Sequence, residues 1–281
     1  MIKLVYVWFA LKIALCSCQS DQQQNGFKKA RTDYKVSKIG RLPAIVNESS
    51  GLARNTQNGS FWTHNDSGGK PELYEVDKNG DLLSTRTVAG ARNVDWEDLA
   101  QSPDGTLYIG DMGNNNNARR DLTIYTLPSD GSPTSTITFS YAEQKAFPPA
   151  SEELNYDCEA FFYHNDYLYL FSKNRSKPAR PVKMYALPAQ PGTYNQIAAV
   201  DSMSINTQVT SADINPSGTT FALLTYGKIL LFGVSDGVID FKNPQDCIKI
   251  GKMQAEAIIF LNDKDLLITN EQQKMYLVRP K

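Results

Sequence analysis

Three features of the 281-residue sequence predict an all-β fold, a single β-propeller of four-stranded antiparallel blades. A short pattern recurs in order along the chain: ESSGLA at Glu48, DWEDLA at Asp95, DCEAFF at Asp157, TSADIN at Thr210 and QAEAII at Gln254. After each pattern comes a turn signal, a β-rich run, and a further run with an aromatic near its end. The spacing divides the 248 residues from Tyr34 to Lys281 into units of about 50, within the range of propeller repeats. Six units of about 41 residues would also fit that length, but only five patterns are visible, so five blades are expected.

Residues 1–17 read as a signal peptide. Lys3 supplies a positive start, and the apolar run from Leu4 to Leu15 is short for a bilayer span and is broken by Lys12. Leu15-Cys16-Ser17-Cys18 resembles a bacterial lipobox, which makes Cys18 the expected lipidation site; a plain secretory signal is the alternative. Residues 18–33 then form a polar, Gln-rich tether to the propeller domain at 34–281. This arrangement places the protein in a bacterial cell envelope, anchored by lipid, with its domain in the periplasm or on the cell surface.

Within each unit the pattern forms the innermost strand. Turns NTQNG, SPDG, HND, NPSG and LNDK lead to second strands SFWTHND, TLYIGD, YLYLFSK, TTFALLTY and DLLITNE. Third strands are ELYEVD, LTIYTLP, VKMYALP, ILLFGV and KMYLVRP, with fourth strands at 82–88, 134–141, 196–205 and 246–252. The last unit lacks a fourth strand, while residues 33–42 form an orphan strand before the first. That segment is expected to complete the last blade and close the ring, which removes the exposed edges.

Composition excludes more than it identifies. A net charge of -1 gives no electrostatic reason to bind nucleic acid, and two His with no CxxC argue against a zinc centre. With Cys18 acylated and Cys16 removed, Cys158 and Cys247 remain. The fold puts them about 14 Å apart, on an inner and an outer strand, so both are expected to be free thiols.

Alternation along the inner strands brings Glu97, Glu159 and Glu256 to one rim of the central channel, with Ala212 as blade four's counterpart. The ends of the second strands add His64-Asn65-Asp66, Asp111, Lys173-Asn174, Tyr226 and Asn270-Glu271. Carboxylates gathered in one funnel repel each other unless a cation compensates, and an oxygen-rich rim suits calcium. Alternatively, the glutamates hydrogen-bond neighbouring blades, with Arg92, Arg119 and Lys173 balancing the charge. Asn65, Asp66, Asn114, Lys173, Tyr226 and Glu271 are the expected ligand-contacting rim, since the Asn- and Gly-rich loops after Asn65 and Asp111 can turn carbonyls inward. His64 and Asp66 are the candidate catalytic pair, with no Ser or Cys nucleophile beside them. Trp96 is expected to pack between blades. His164 falls in a turn on the opposite face, and Lys173 to Arg180 carries four positive charges in eight residues.

The motifs ESSGL with WTHNDSG, DWEDLA with LYIGDMGNN, DCEAFF, VTSADINPSG and QAEAII resemble a family of secreted or lipid-anchored bacterial propellers over essentially the whole mature chain. More distantly, the sequence is similar to calcium-dependent propellers, the phytase-like esterases and senescence-marker-like lactonases. By position, that resemblance implies calcium ligands at Glu97, Glu159, Glu256, Asp111 and Asn270. The expected function is binding of a small polar molecule and a cation at the rim by a monomeric lipoprotein. A calcium-dependent phosphoesterase or lactonase, or a protein-interaction platform, is the alternative.

Overall fold

The computed structural model describes residues 18–281 apart from 30–32, 56 and 252; the leader expected over 1–17 lies outside the described residues. Five sheets form a five-bladed β-propeller. From inner to outer strand, blade one comprises Ser49–Arg54, Phe61–Asn65, Glu72–Val76 and Leu82–Thr87, and blade two Trp96–Gln101, Leu107–Asp111, Leu122–Leu127 and Ser135–Tyr141. Blade three comprises Cys158–His164, Tyr167–Ser172, Val182–Pro188 and Ala199–Met203, and blade four Val209–Ile214, Thr220–Thr225, Lys228–Gly233 and Pro244–Lys249. Blade five takes Ala255–Phe260, Leu266–Asn270 and Lys274–Pro280 from the C-terminal end of the chain. Its outermost strand is Tyr34–Arg41, antiparallel to Lys274–Pro280, so the orphan strand closes the ring as expected.

The turns follow from their residue types. In Ser102-Pro103-Asp104-Gly105, Asp104 Oδ1 accepts from Thr106 N at 3.1 Å and Gly105 takes φ +87°, a backbone region open to glycine. Asn215 does the same work before blade four's second strand, accepting from Thr219 N at 2.8 Å.

Apolar side chains fill the wedges between neighbouring blades, because each sheet has two faces to bury. One core cluster lies in each of the five wedges. Between blades three and four, Phe162, Phe171, Phe221 and Phe232 pack together, and Phe221 and Phe232 stack with centroids 4.7 Å apart. Trp96 is fully buried between blades one and two, as expected.

Two strands and a docked helix stand outside the expected four-stranded units. Gly192–Ile197 adds in parallel to the outer strand of blade two, and Lys28–Lys29 adds in parallel to that of blade four. The segment expected to be a solvated tether lies against blade four: Cys18–Asn25 is a helix, Asp21 forms an ion pair with the fully buried Lys228, and Phe27 packs edge-on to Phe232 at 5.0 Å. Cys18 forms a disulfide with Cys247, with Cα atoms 5.8 Å apart. The expectation of a free Cys247 is therefore corrected. The partner of Cys247 comes from the N-terminal segment outside the repeats, not from Cys158. Cys158 is the free, buried thiol. A disulfide and a lipid thioether draw on the same sulfur, so a Cys18 held in this way carries no thioether-linked lipid.

Candidate functional site

Five β-bulges create the mouth of the channel. In blade one, Ser49 pairs with Asn65 and Gly51 with His64, which leaves Ser50 outside the ladder. The same irregularity leaves out Glu159, Thr210 and Glu256 in blades three, four and five, and it falls at Glu97-Asp98 in blade two. A bulge re-aims a side chain that regular pleating would send elsewhere. Ser50, Glu97, Glu159, Thr210 and Glu256 are thus equivalent positions around one end of the axis. This corrects the register of blade four: Thr210, not Ala212, matches the glutamates, because the TSADIN alignment starts two residues too late.

The acidic mouth is divided by its own bases. On one side, Glu159 is paired with Lys173 and, at 3.0 Å, with Arg175. Arg175 also binds Asp157, and Lys173 donates to Tyr226 Oη at 3.3 Å. Glu256 lies on this side, within the fields of Lys173, Glu159 and Glu271; burial pushes its carboxyl well up. On the other side, Asp66, Asp95 and Glu97 bring carboxylate oxygens within 4.8 Å of one another. Among the described residues, no Lys or Arg forms an ion pair with any of these three. Burial, then the charges of Asp66 and Asp157, push the Asp95 carboxyl up to about 6. Glu97 is more deeply buried and is pushed well above the usual range by burial, then by Glu159, Asp66 and Asp157.

The adjoining loop is shaped around these acids. A side chain at Gly113 would bring a Cβ 2.1 Å from Glu97 Oε1 and 2.5 Å from the Asp95 carboxyl, so only glycine allows both carboxylates this close to the backbone.

Below the mouth, Asp98 ties three blades together across the axis. Its Oδ1 accepts from Leu99 N at 3.0 Å, and its Oδ2 from Phe161 N at 3.3 Å and from Ala212 N and Ser211 Oγ at 3.0 Å each. Ser211 Oγ in turn accepts from Ile258 N at 3.1 Å, which extends the chain into blade five.

The other expected site residues fall in distinct places. Asp111 pairs with Arg119 at 3.0 Å and accepts from Asp95 N at 3.0 Å. Asn270 Oδ1 accepts from Lys274 N at 2.9 Å, capping a turn. Asn65 is occupied by Glu48 N and Ile45 O, and Asn114 by Arg119 N and Tyr156 O, so both amides brace loops. Glu271 is held by Gln254. His64 is wholly buried, stands edge-on to Trp96 at 5.4 Å and shares Nδ1 with Asn65 O at 2.9 Å; burial lowers its pKa to about 4. Asp66 beside it is part of the acidic trio. Of the residues named from the sequence as metal ligands, only Glu97 belongs to that trio. Asp95, Asp157, Arg175 and Asp98 lie outside the expected site, although Asp95, Asp98 and Asp157 fall within the repeats DWEDLA and DCEAFF.

Fold and mouth together define a five-bladed propeller whose acidic funnel is half neutralised from within. A family profile described as SdiA-regulated matches residues 28–225. The chain belongs to the SdiA-regulated family. No curated protein sequence matches it. Among solved structures it is similar to selenomethionine-substituted virginiamycin B lyase from Staphylococcus aureus, at 13% identity and a TM-score of 0.40, with 82% of this chain and 66% of that chain covered. A catalytically inactive form of that lyase with quinupristin matches at 13% identity and a TM-score of 0.39, with the same coverage. The chain therefore spans just under two thirds of the length of these structures.

Proposed function

We propose that this propeller is an exported binding protein that holds a divalent cation, best suited to calcium, between Asp66, Asp95 and Glu97, and presents it to a small polar ligand at the channel mouth. The observation that carries this reading is the trio itself: among the described residues, three carboxylates converge with no Lys or Arg in an ion pair with them, while the opposite half of the same rim is neutralised by Lys173 and Arg175. Carboxylate oxygens are the donors calcium takes, and the site offers no imidazole or thiolate to favour a softer metal. When bound, the ion would offset the mutual repulsion of the trio and leave part of its coordination shell for ligand oxygens.

Titrating metal-stripped protein with calcium in a calorimeter tests this. Wild type is expected to bind one ion, and Glu97→Gln and Asp95→Asn to weaken binding by at least tenfold. Silence in wild type, or unchanged affinity in both variants, would overturn the assignment. Where calcium binds, a screen of phosphomonoesters, phytate and lactones for calcium-dependent turnover separates a binding protein, which leaves them intact, from a hydrolase.

A further inference from the structure

A second opening lies at the end of the channel away from the acids. Inner-strand ends and the turns beyond them enclose a cavity of about 610 Å³ there, within the range of small-molecule sites. Asp98 and its bonds to blades three and four cross the axis between the two mouths, so this cavity is separate from the acidic trio. Leu52, Leu99, Ile214 and Ile259 contribute apolar lining.

Two lining groups of opposite charge flank the end of one strand. Asp213, from blade four, accepts from Phe260 N at 2.6 Å, and Arg54, from blade one, donates Nη1 to the adjacent Leu261 O at 2.8 Å. Consecutive residues of blade five therefore hold a carboxylate on one side and a guanidinium on the other. Arg54 lowers the Asp213 carboxyl only slightly against burial, and the two form no ion pair. Burial disfavours the charged Asp213, raising its carboxyl to about 7, and a cation placed beside it would reverse that.

We propose that this cavity binds a small zwitterion with an apolar body, a free hydrophobic α-amino acid, with its ammonium at Asp213, its carboxylate at Arg54 and its side chain against the leucine and isoleucine lining. A guanidinium is suited to a carboxylate, and a partly buried carboxylate to an ammonium. An uncharged ligand would use neither charge, and an ion of one sign would be repelled by the group of like sign.

The probes are L-leucine, L-phenylalanine, N-acetyl-leucine and leucinamide, titrated into wild type, Asp213→Asn and Arg54→Gln, with thermal melts confirming that each variant is folded. L-Leucine is expected to bind wild type. Blocking its amine, blocking its carboxylate, or changing either residue should each weaken binding by at least tenfold, and chelating calcium should leave it unchanged. Failure of L-leucine and L-phenylalanine to bind wild type, or blocked analogues binding as well as L-leucine, would overturn the proposal. Binding that vanishes with the chelator would also overturn it, by moving the ligand to the acidic mouth.

Discussion

At the residue scale, the burial of acids dominates the electrostatics. The Asp95 carboxyl is pushed up to about 6, and those of Glu159 and Asp213 to about 7, each chiefly by burial. A carboxyl whose folded pKa lies above its unfolded value binds its proton more tightly in the folded state. Its contribution to stability is thus present at low pH and lost as pH rises through the folded value. Glu75 runs the other way: hydrogen bonds from Asn58, Ser60, Ser84 and Asn55 outweigh burial and lower it to about 2, so its contribution is present above about pH 4.5 and is lost as pH falls from there through about 2. His64, kept neutral by burial, opposes the raised carboxyls between about pH 4 and 6.5, but they outnumber it, so calcium-free protein should melt at lower temperature as pH rises from 4.5 to 7.5. A melting temperature that climbs over that window, in melts at fixed ionic strength, would contradict this.

At the scale of elements, the N-terminal segment is the part that departs most from expectation. The helix Cys18–Asn25 reads CQSDQQQN, without an apolar stripe, so nothing local marks it as docked. What holds it is distant: Cys247, 229 residues away, and Lys228, which would be a buried charge without Asp21. Cys158 is inert by burial, with its thiol pushed up to about 12. A mature chain beginning at Cys18 should thus take up one equivalent of iodoacetamide when denatured without reduction, and three after reduction. A thioether-linked diacylglyceryl mass on Cys18 would show instead that this sulfur serves as a lipid anchor. Strand order, turns and the closing strand were legible because they follow period-two patterning and turn chemistry. The bulges were only partly so. They preserve the polar-then-apolar order that groups Glu97, Glu159 and Glu256, but they hide the match of Thr210, because blade four carries no acid at that position.

For the molecule as a whole, ring closure turns a nearly neutral sequence into two unlike mouths. The net charge of -1 conceals a funnel where acids gather, and closure decides which of them meet across a blade junction. Lys173 and Arg175 lie beyond blade three's second strand and reach Glu159 and Asp157 of the same blade, whereas Asp66, Asp95 and Glu97 meet across the junction of blades one and two. Spacing within one repeat cannot reveal which acids converge between repeats, which is why the sequence pointed to the funnel and not to the trio. The assignment of the cation to that junction is tested most directly by locating the ion. In crystals of the protein grown with calcium, anomalous scattering should show one peak about 2.3–2.6 Å from carboxylate oxygens of Asp66, Asp95 and Glu97. A peak between Glu159 and Glu256, or none in the mouth at saturating calcium, would contradict it.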